Sequence, residues 1–85
     1  MGDRAYKDSV YGEFARIGKA LSSPVRLELL DLLAQGPRAV EHLASSLSQS
    51  VANTSRHLGV LRESRLVEHQ RQGTTVIYSL PPGVS

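Results

Sequence analysis

The chemistry this chain offers is concentrated in two short runs, Ser50-Val51-Ala52-Asn53-Thr54-Ser55-Arg56-His57 and Arg71-Gln72-Gly73-Thr74. An asparagine amide can pair with adenine, an arginine with guanine or phosphate, and short serine or threonine side chains let a helix end approach a duplex closely. Arg56, Arg62, Arg65 and Arg71 lie in the second half of the chain, whereas the acidic residues lie mostly in the first. A net charge of only +2 therefore fits a local basic face for phosphates better than a generally polycationic chain.

Other chemistries find little support. With no cysteine there are no disulfides, thiolate metal sites or cysteine nucleophiles. His42, His57 and His69 fall on three different elements without an i, i+4 pair, so they read as ordinary polar residues and no metal is expected. A Gly-rich phosphate loop, a nucleophile beside a base and an acidic cluster are all missing, so no cofactor and no enzymatic activity are expected. No apolar run reaches the roughly 18 to 20 residues needed to span a bilayer, and the start MGDRAYKDSVYGEF lacks the apolar centre of a signal peptide. A cytoplasmic location without membrane contact is the expectation. At 85 residues, 40% apolar and 21% charged, the chain is one ordinary globular domain near the size where a core is only marginally sufficient. A partner subunit would help it.

The elements that must position these residues follow from periodicity. Tyr6, Val10, Phe14, Ile17 and Leu21 recur at spacings of three and four, predicting a first helix over Asp3 to Leu21 whose stripe serves both its own core and a subunit interface. Ser23 can cap and Pro24 can open a second helix, PVRLELLDLLAQ, which is apolar on several sides, belongs in the middle, and ends at Gly36-Pro37. A third helix, Val40 to Leu47, has the poor N-cap Ala39; Ser48-Gln49-Ser50 then breaks the pattern and Ser50 can cap a fourth, VANTSRHLGVLRES. After Ser64 the period changes to two. LVEHQR and TTVIYSL read as a hairpin about Gln72-Gly73, with Val76, Tyr78 and Leu80 on one face.

Helices, then a helix-turn-helix, then a basic-tipped hairpin give a mainly α fold with a small β-hairpin, a winged helix-turn-helix over residues 1–80 with a tail at 81–85. On a helical wheel Thr54, Leu58, Leu61 and Arg65 fall toward the core, while Asn53 and Arg56 point away with Ala52 and His57 flanking them. Val51 stays open, tilted inward by the wheel yet placed where its methyls could meet a thymine. Arg62 and Arg65 lie late in the helix, where the first can pair with acidic neighbours and the second can lay its stem on the core.

SSPVRLELLDLLAQG, AVEHLA and SVANTSRHLGVLRESRLVEHQRQGTTVIYSL, in this order, resemble the ArsR/SmtB family of winged helix repressors over nearly the whole chain. The AYKDSVYGEFARIGKAL start is similar to a branch in which the domain precedes a rhodanese (sulfurtransferase) domain. The resemblance implies a homodimeric transcriptional repressor that sits on an inverted-repeat operator in double-stranded DNA and leaves it when an inducer is sensed. It carries DNA contact onto Ser50, Val51, Ala52, Asn53, Ser55, Arg56 and His57 and onto Arg71, Gln72 and Thr74 at the wing. The dimer contact is expected at Tyr6, Val10, Phe14 and Ile17. The sensor does not carry over: where metal-sensing members place cysteines this chain has Ala39 and Glu41, it ends in PPGVS where they add a further helix, and the inducer stays unidentified. Relatives also place Gly-Leu at Ser48-Gln49, which predicts looser packing in the turn. The competing class is a winged-helix protein-interaction or regulatory module of a larger sulfurtransferase. Salt-dependent duplex binding would favour the first class, and a partner held only through the first helix the second.

Overall fold

Serine and proline set the helix boundaries. In the computed structural model, which describes residues 2–83, the chain runs α1 (Gly2–Ala20), α2 (Pro24–Ala34), β1 (Arg38–Ala39), α3 (Val40–Leu47), α4 (Val51–Glu63), β2 (Glu68–Gln72) and β3 (Thr75–Ser79). Ser23 is extended and its hydroxyl accepts the Arg26 N–H at 3.3 Å, with Pro24 opening α2 where its missing donor costs nothing. Ser50 does the same for α4, accepting the Asn53 N–H at 3.0 Å. Ala39 gives α3 no side-chain cap, as its type dictates. What holds the start of α3 instead is β1, a third strand that was not expected, paired Arg38 to Tyr78 and Ala39 to Ile77. Two residues are too short to carry a readable period of two.

The sheet is antiparallel in the order β1-β3-β2. Gln72 pairs with Thr75, so the hairpin loop is Gly73-Thr74 and not the expected Gln72-Gly73. Gly73 has φ 66° and Thr74 no positive φ, the pattern of a two-residue turn whose first position favours glycine. As predicted, Val76, Tyr78 and Leu80 share the face that meets the core.

That core joins Leu29 and Leu33 of α2, Val40 and Leu43 of α3, Leu58 and Leu61 of α4, then Val67 and Tyr78. α2 is less central than expected. Leu27 lies about 200° around the helix from Leu29 and is 51% exposed. α1 departs further from expectation, because among its described residues only Ala20 at its end is buried, while Tyr6 is 71% and Phe14 67% exposed. Within one chain its stripe does not serve the core.

Two residues other than glycine take left-handed backbone. Ser48, φ 53°, ends α3, and its turn is closed by Ser48 N–H to Ser45 O and Gln49 N–H to Ala44 O. The departure from glycine therefore costs backbone conformation, about 1–2 kcal/mol, while the closing bonds are kept. Arg65, φ 61°, carries the chain out of α4. The helix stops at Glu63, Ser64 takes the buried place, and Arg65 is exposed, correcting its assignment to the core. Arg62 is exposed as well, and the ion pairs among the described residues, Arg4 with Asp8 and Arg16 with Glu13, do not include it. Among the described residues no helix is long and apolar enough to cross a membrane.

Candidate nucleic-acid interface

α3, the Ser48–Ser50 turn and α4 form the helix-turn-helix, and α4 is fixed by its inner face. Thr54, His57, Leu58 and Leu61 are buried there at the i, i+3, i+4, i+7 spacing of one helical stripe. The Thr54 hydroxyl donates to Ser50 O at 2.8 Å, so this buried polar group is satisfied inside the first turn. Burying that stripe turns Ala52, Ser55 and Arg56 outward beside Ser50. Val51, left open by the wheel, is 45% exposed and belongs with them.

Asn53 is half-buried and held at both ends of its amide. Its Nδ2 donates to Gln49 Oε1 at 2.7 Å, and its Oδ1 accepts from Arg56 Nη2 at 2.8 Å. The turn thereby aims Asn53, and Asn53 aims Arg56. Gln49 was not expected in this role; an amide four residues before another on a helix start is the signal that pointed to it.

His57 corrects the sequence reading. It was placed on the flank of the outward face but is 8% exposed, because it stands three residues after Thr54 on the buried stripe. Its Nδ1 lies 2.9 Å from Arg26 Nη1 and its Nε2 3.4 Å from Arg56 Nη2. A guanidinium can only donate and a neutral imidazole has one acceptor nitrogen, so only one of these two contacts is a hydrogen bond; the shorter one makes Nδ1 the acceptor from Arg26 and leaves the 3.4 Å approach of Arg56 unbonded. Burial, then the Arg56 and Arg26 charges, lower its pKa from the ordinary value. The folded protein keeps this imidazole neutral while the unfolded chain protonates it more readily. Its contribution to stability is thus complete above the ordinary imidazole value of about 6.5 and is lost as pH falls through the lowered folded value. The melting temperature, followed by circular dichroism, is expected to drop more between pH 7.5 and pH 5 in the wild type than in His57→Gln; equal drops would assign the acid sensitivity to other groups.

Arg26, like Gln49, has a role that the residue pattern did not indicate. A cation in the first turn of a helix runs against the helix dipole, and that local inconsistency was the available signal.

At the wing, Arg71, Gln72 and Thr74 are exposed, and every residue of β2 is exposed along the outer edge of the sheet. The hairpin is anchored at its root by Tyr78 in the core, against which the His69 ring packs with centroids 5.4 Å apart. Arg62 and Arg65 line an open hollow with Glu68, His69 and Pro81 at the far end of α4, away from residues 50–56. On α1, Val10 and Ile17 are half-buried beside the exposed Tyr6 and Phe14. Tyr11, not foreseen, is also exposed and widens that apolar surface. Among the described residues no three His, Asp or Glu side chains gather where a metal ion would sit.

Comparison with known proteins agrees with this geometry. Residues 23–69 match the family model described as bacterial regulatory protein, arsR family. The HTH-type transcriptional regulator Rv0324 of Mycobacterium tuberculosis is 40% identical over 79 residues, which are 93% of this chain and 35% of that protein. The fold is similar to the solution structure of a homodimeric winged helix-turn-helix DNA-binding domain of Mb0332 from Mycobacterium bovis, at TM-score 0.83 and 42% identity over 87% of this chain and 68% of that one. It is also similar to the crystal structure of the transcriptional repressor BigR from Xylella fastidiosa, at TM-score 0.77 and 36% identity over 92% and 80%. The chain spans only about a third of the length of the Rv0324 regulator.

Proposed function

The chain belongs to the arsR family of bacterial regulatory proteins, and on that premise we propose that it is a homodimeric repressor binding an inverted-repeat operator in double-stranded DNA. The observation that carries the reading is the division of α4, which buries Thr54, His57, Leu58 and Leu61 and leaves Val51, Ala52, Ser55 and Arg56 outward at its exposed start. That start enters the major groove. Asn53 and Arg56 contact base edges, Ser50 and Ser55 allow close approach, and Ala52 and Val51 meet thymine methyls. His57 acts from behind, through its neighbours. Residues 1–80 are taken as the binding unit and 81–85 as a tail, since Leu80 is the last of the described residues packed on the core.

The dimer forms through Tyr6, Val10, Phe14 and Ile17 of α1. Their exposure supports this, as does the homodimeric state stated for the Mb0332 domain. A duplex-binding regulator of this kind works in the cytoplasm, and the reading assigns it no catalytic step and no cofactor.

The deciding experiment is selection of bound duplexes from a random pool by the 85-residue chain. Recovery of an inverted repeat with half-site centres about 10 base pairs apart, or a multiple of that, is the expected result. Enrichment of no sequence, or of a motif without two-fold symmetry, would overturn it.

Arg71, Gln72 and Thr74 reach the flanking phosphates or minor groove from the wing tip. Arg71→Ala is expected to weaken binding to selected and scrambled duplexes nearly alike and to reduce the salt slope by about one, the signature of one lost phosphate contact. An unchanged slope in titrations across salt concentrations would place the wing tip clear of the DNA.

A further inference from the structure

We infer that Arg26 and His57 are positioning residues that clasp α4 to the end of α1 and so set the separation of the two recognition helices in a dimer. The inference rests on the proposed reading of the chain as a DNA-binding dimer joined through α1.

The Arg26 guanidinium joins three elements. From the first turn of α2, its Nε donates to Ala20 O at 2.6 Å, its Nη2 donates to Lys19 O at 3.1 Å, and its Nη1 donates to His57 Nδ1 at 2.9 Å. The two carbonyls belong to the last turn of α1, where helical acceptors lack intrahelical partners and a cation is favoured by the dipole. A charge unfavourable for α2 is thus favourable for α1. The third contact reaches the second turn of α4, directly behind Arg56.

Apolar packing alone gives α1 little to fix its angle, since Ala20 is the only one of its described residues in the core. Arg16 provides a second link, its Nη1 donating to Glu63 O at the end of α4 at 3.0 Å. One link would leave α4 free to pivot against α1. His57 and Glu63 are about 9 Å apart along the helix, and two links at that spacing define a direction. A tilt of about 10° acting along the roughly 20 Å length of α4 would shift its start by about 3.5 Å, the rise of one base pair. The clasp is therefore placed to determine which half-site spacing the dimer accepts.

Spacing dependence distinguishes this role from general stabilisation. Arg26→Lys keeps the charge but offers a single ammonium in place of a planar fork spanning three acceptors. His57→Leu removes the acceptor while filling the buried site. Each variant is titrated against the inverted repeat selected by the wild type, against versions with one or two base pairs inserted or removed between the half-sites, and against an isolated half-site. The wild type is expected to lose about tenfold per base pair of altered spacing, and both variants about twofold, with half-site affinity within about threefold of the wild type. Folded variants with the wild-type spacing dependence would overturn the inference, and His57→Leu decides alone where Arg26→Lys does not fold. Failure of both to fold would make the clasp a stability element and overturn it too. Failure of the wild type to select any repeat would instead remove the DNA-binding reading and this inference with it.

Discussion

Phe14→Glu is expected to convert the protein to a folded monomer and to weaken binding to its inverted repeat by about 100- to 10,000-fold, because the second recognition helix then no longer binds at a high effective concentration. Phe14 is 67% exposed in the single chain, so the substitution leaves the core built from Leu29, Leu43, Leu58 and Leu61 untouched. Surface changes of this kind shift stability by about 0.5 kcal/mol or less. In the proposed dimer the same position would lie in the apolar contact, and an isologous interface meets the change twice, so two unpaired carboxylates would be taken out of water together. Sedimentation at several concentrations, circular dichroism and duplex titration test this jointly. A variant that stays dimeric would move the interface away from α1, and one that unfolds would return Phe14 to the core.

Arg56→Ala and Asn53→Ala are each expected to weaken specific binding by about 1–3 kcal/mol without disturbing the fold, as loss of a bidentate base contact should. The Asn53 Oδ1 to Arg56 Nη2 bond adds that the two losses are not independent. Removing Asn53 frees Arg56 from its support, so the double variant should lose less than the sum of the single ones. Titration against selected and scrambled duplexes decides between roles. Equal losses on both would make these phosphate contacts, and no loss on either would take the pair out of the interface.

The helix boundaries were legible because their causes are local. Ser23-Pro24, Gly36-Pro37 and Ser50 act through their own backbone and hydroxyl groups, and a stripe such as Thr54, Leu58 and Leu61 repeats within a few turns. The order of the four helices and the hairpin, the buried face of β3 and the outward placement of Arg56 follow from the same short-range rules. The hairpin loop was displaced by one residue because its register is decided by pairing across β2 and β3. β1 was missed because two residues become a strand only when Tyr78 and Ile77 lie beside them. Arg65 was misassigned because a wheel continues past the point where left-handed backbone ends the helix.

The sequence by itself determined that this protein is a winged helix-turn-helix with Asn53 and Arg56 at the start of its fourth helix, since those features depend on residue type and spacing over a few turns. Only the tertiary structure decided that His57 is buried, that Arg26 joins it to the end of α1, and that Tyr6 and Phe14 are left outside the single-chain core. Arg26 and His57 are 31 residues apart, and whether an amphipathic stripe finds its partner within the chain depends on where every other helix comes to rest. A contact between elements distant in sequence has no period and no local energy to reveal it.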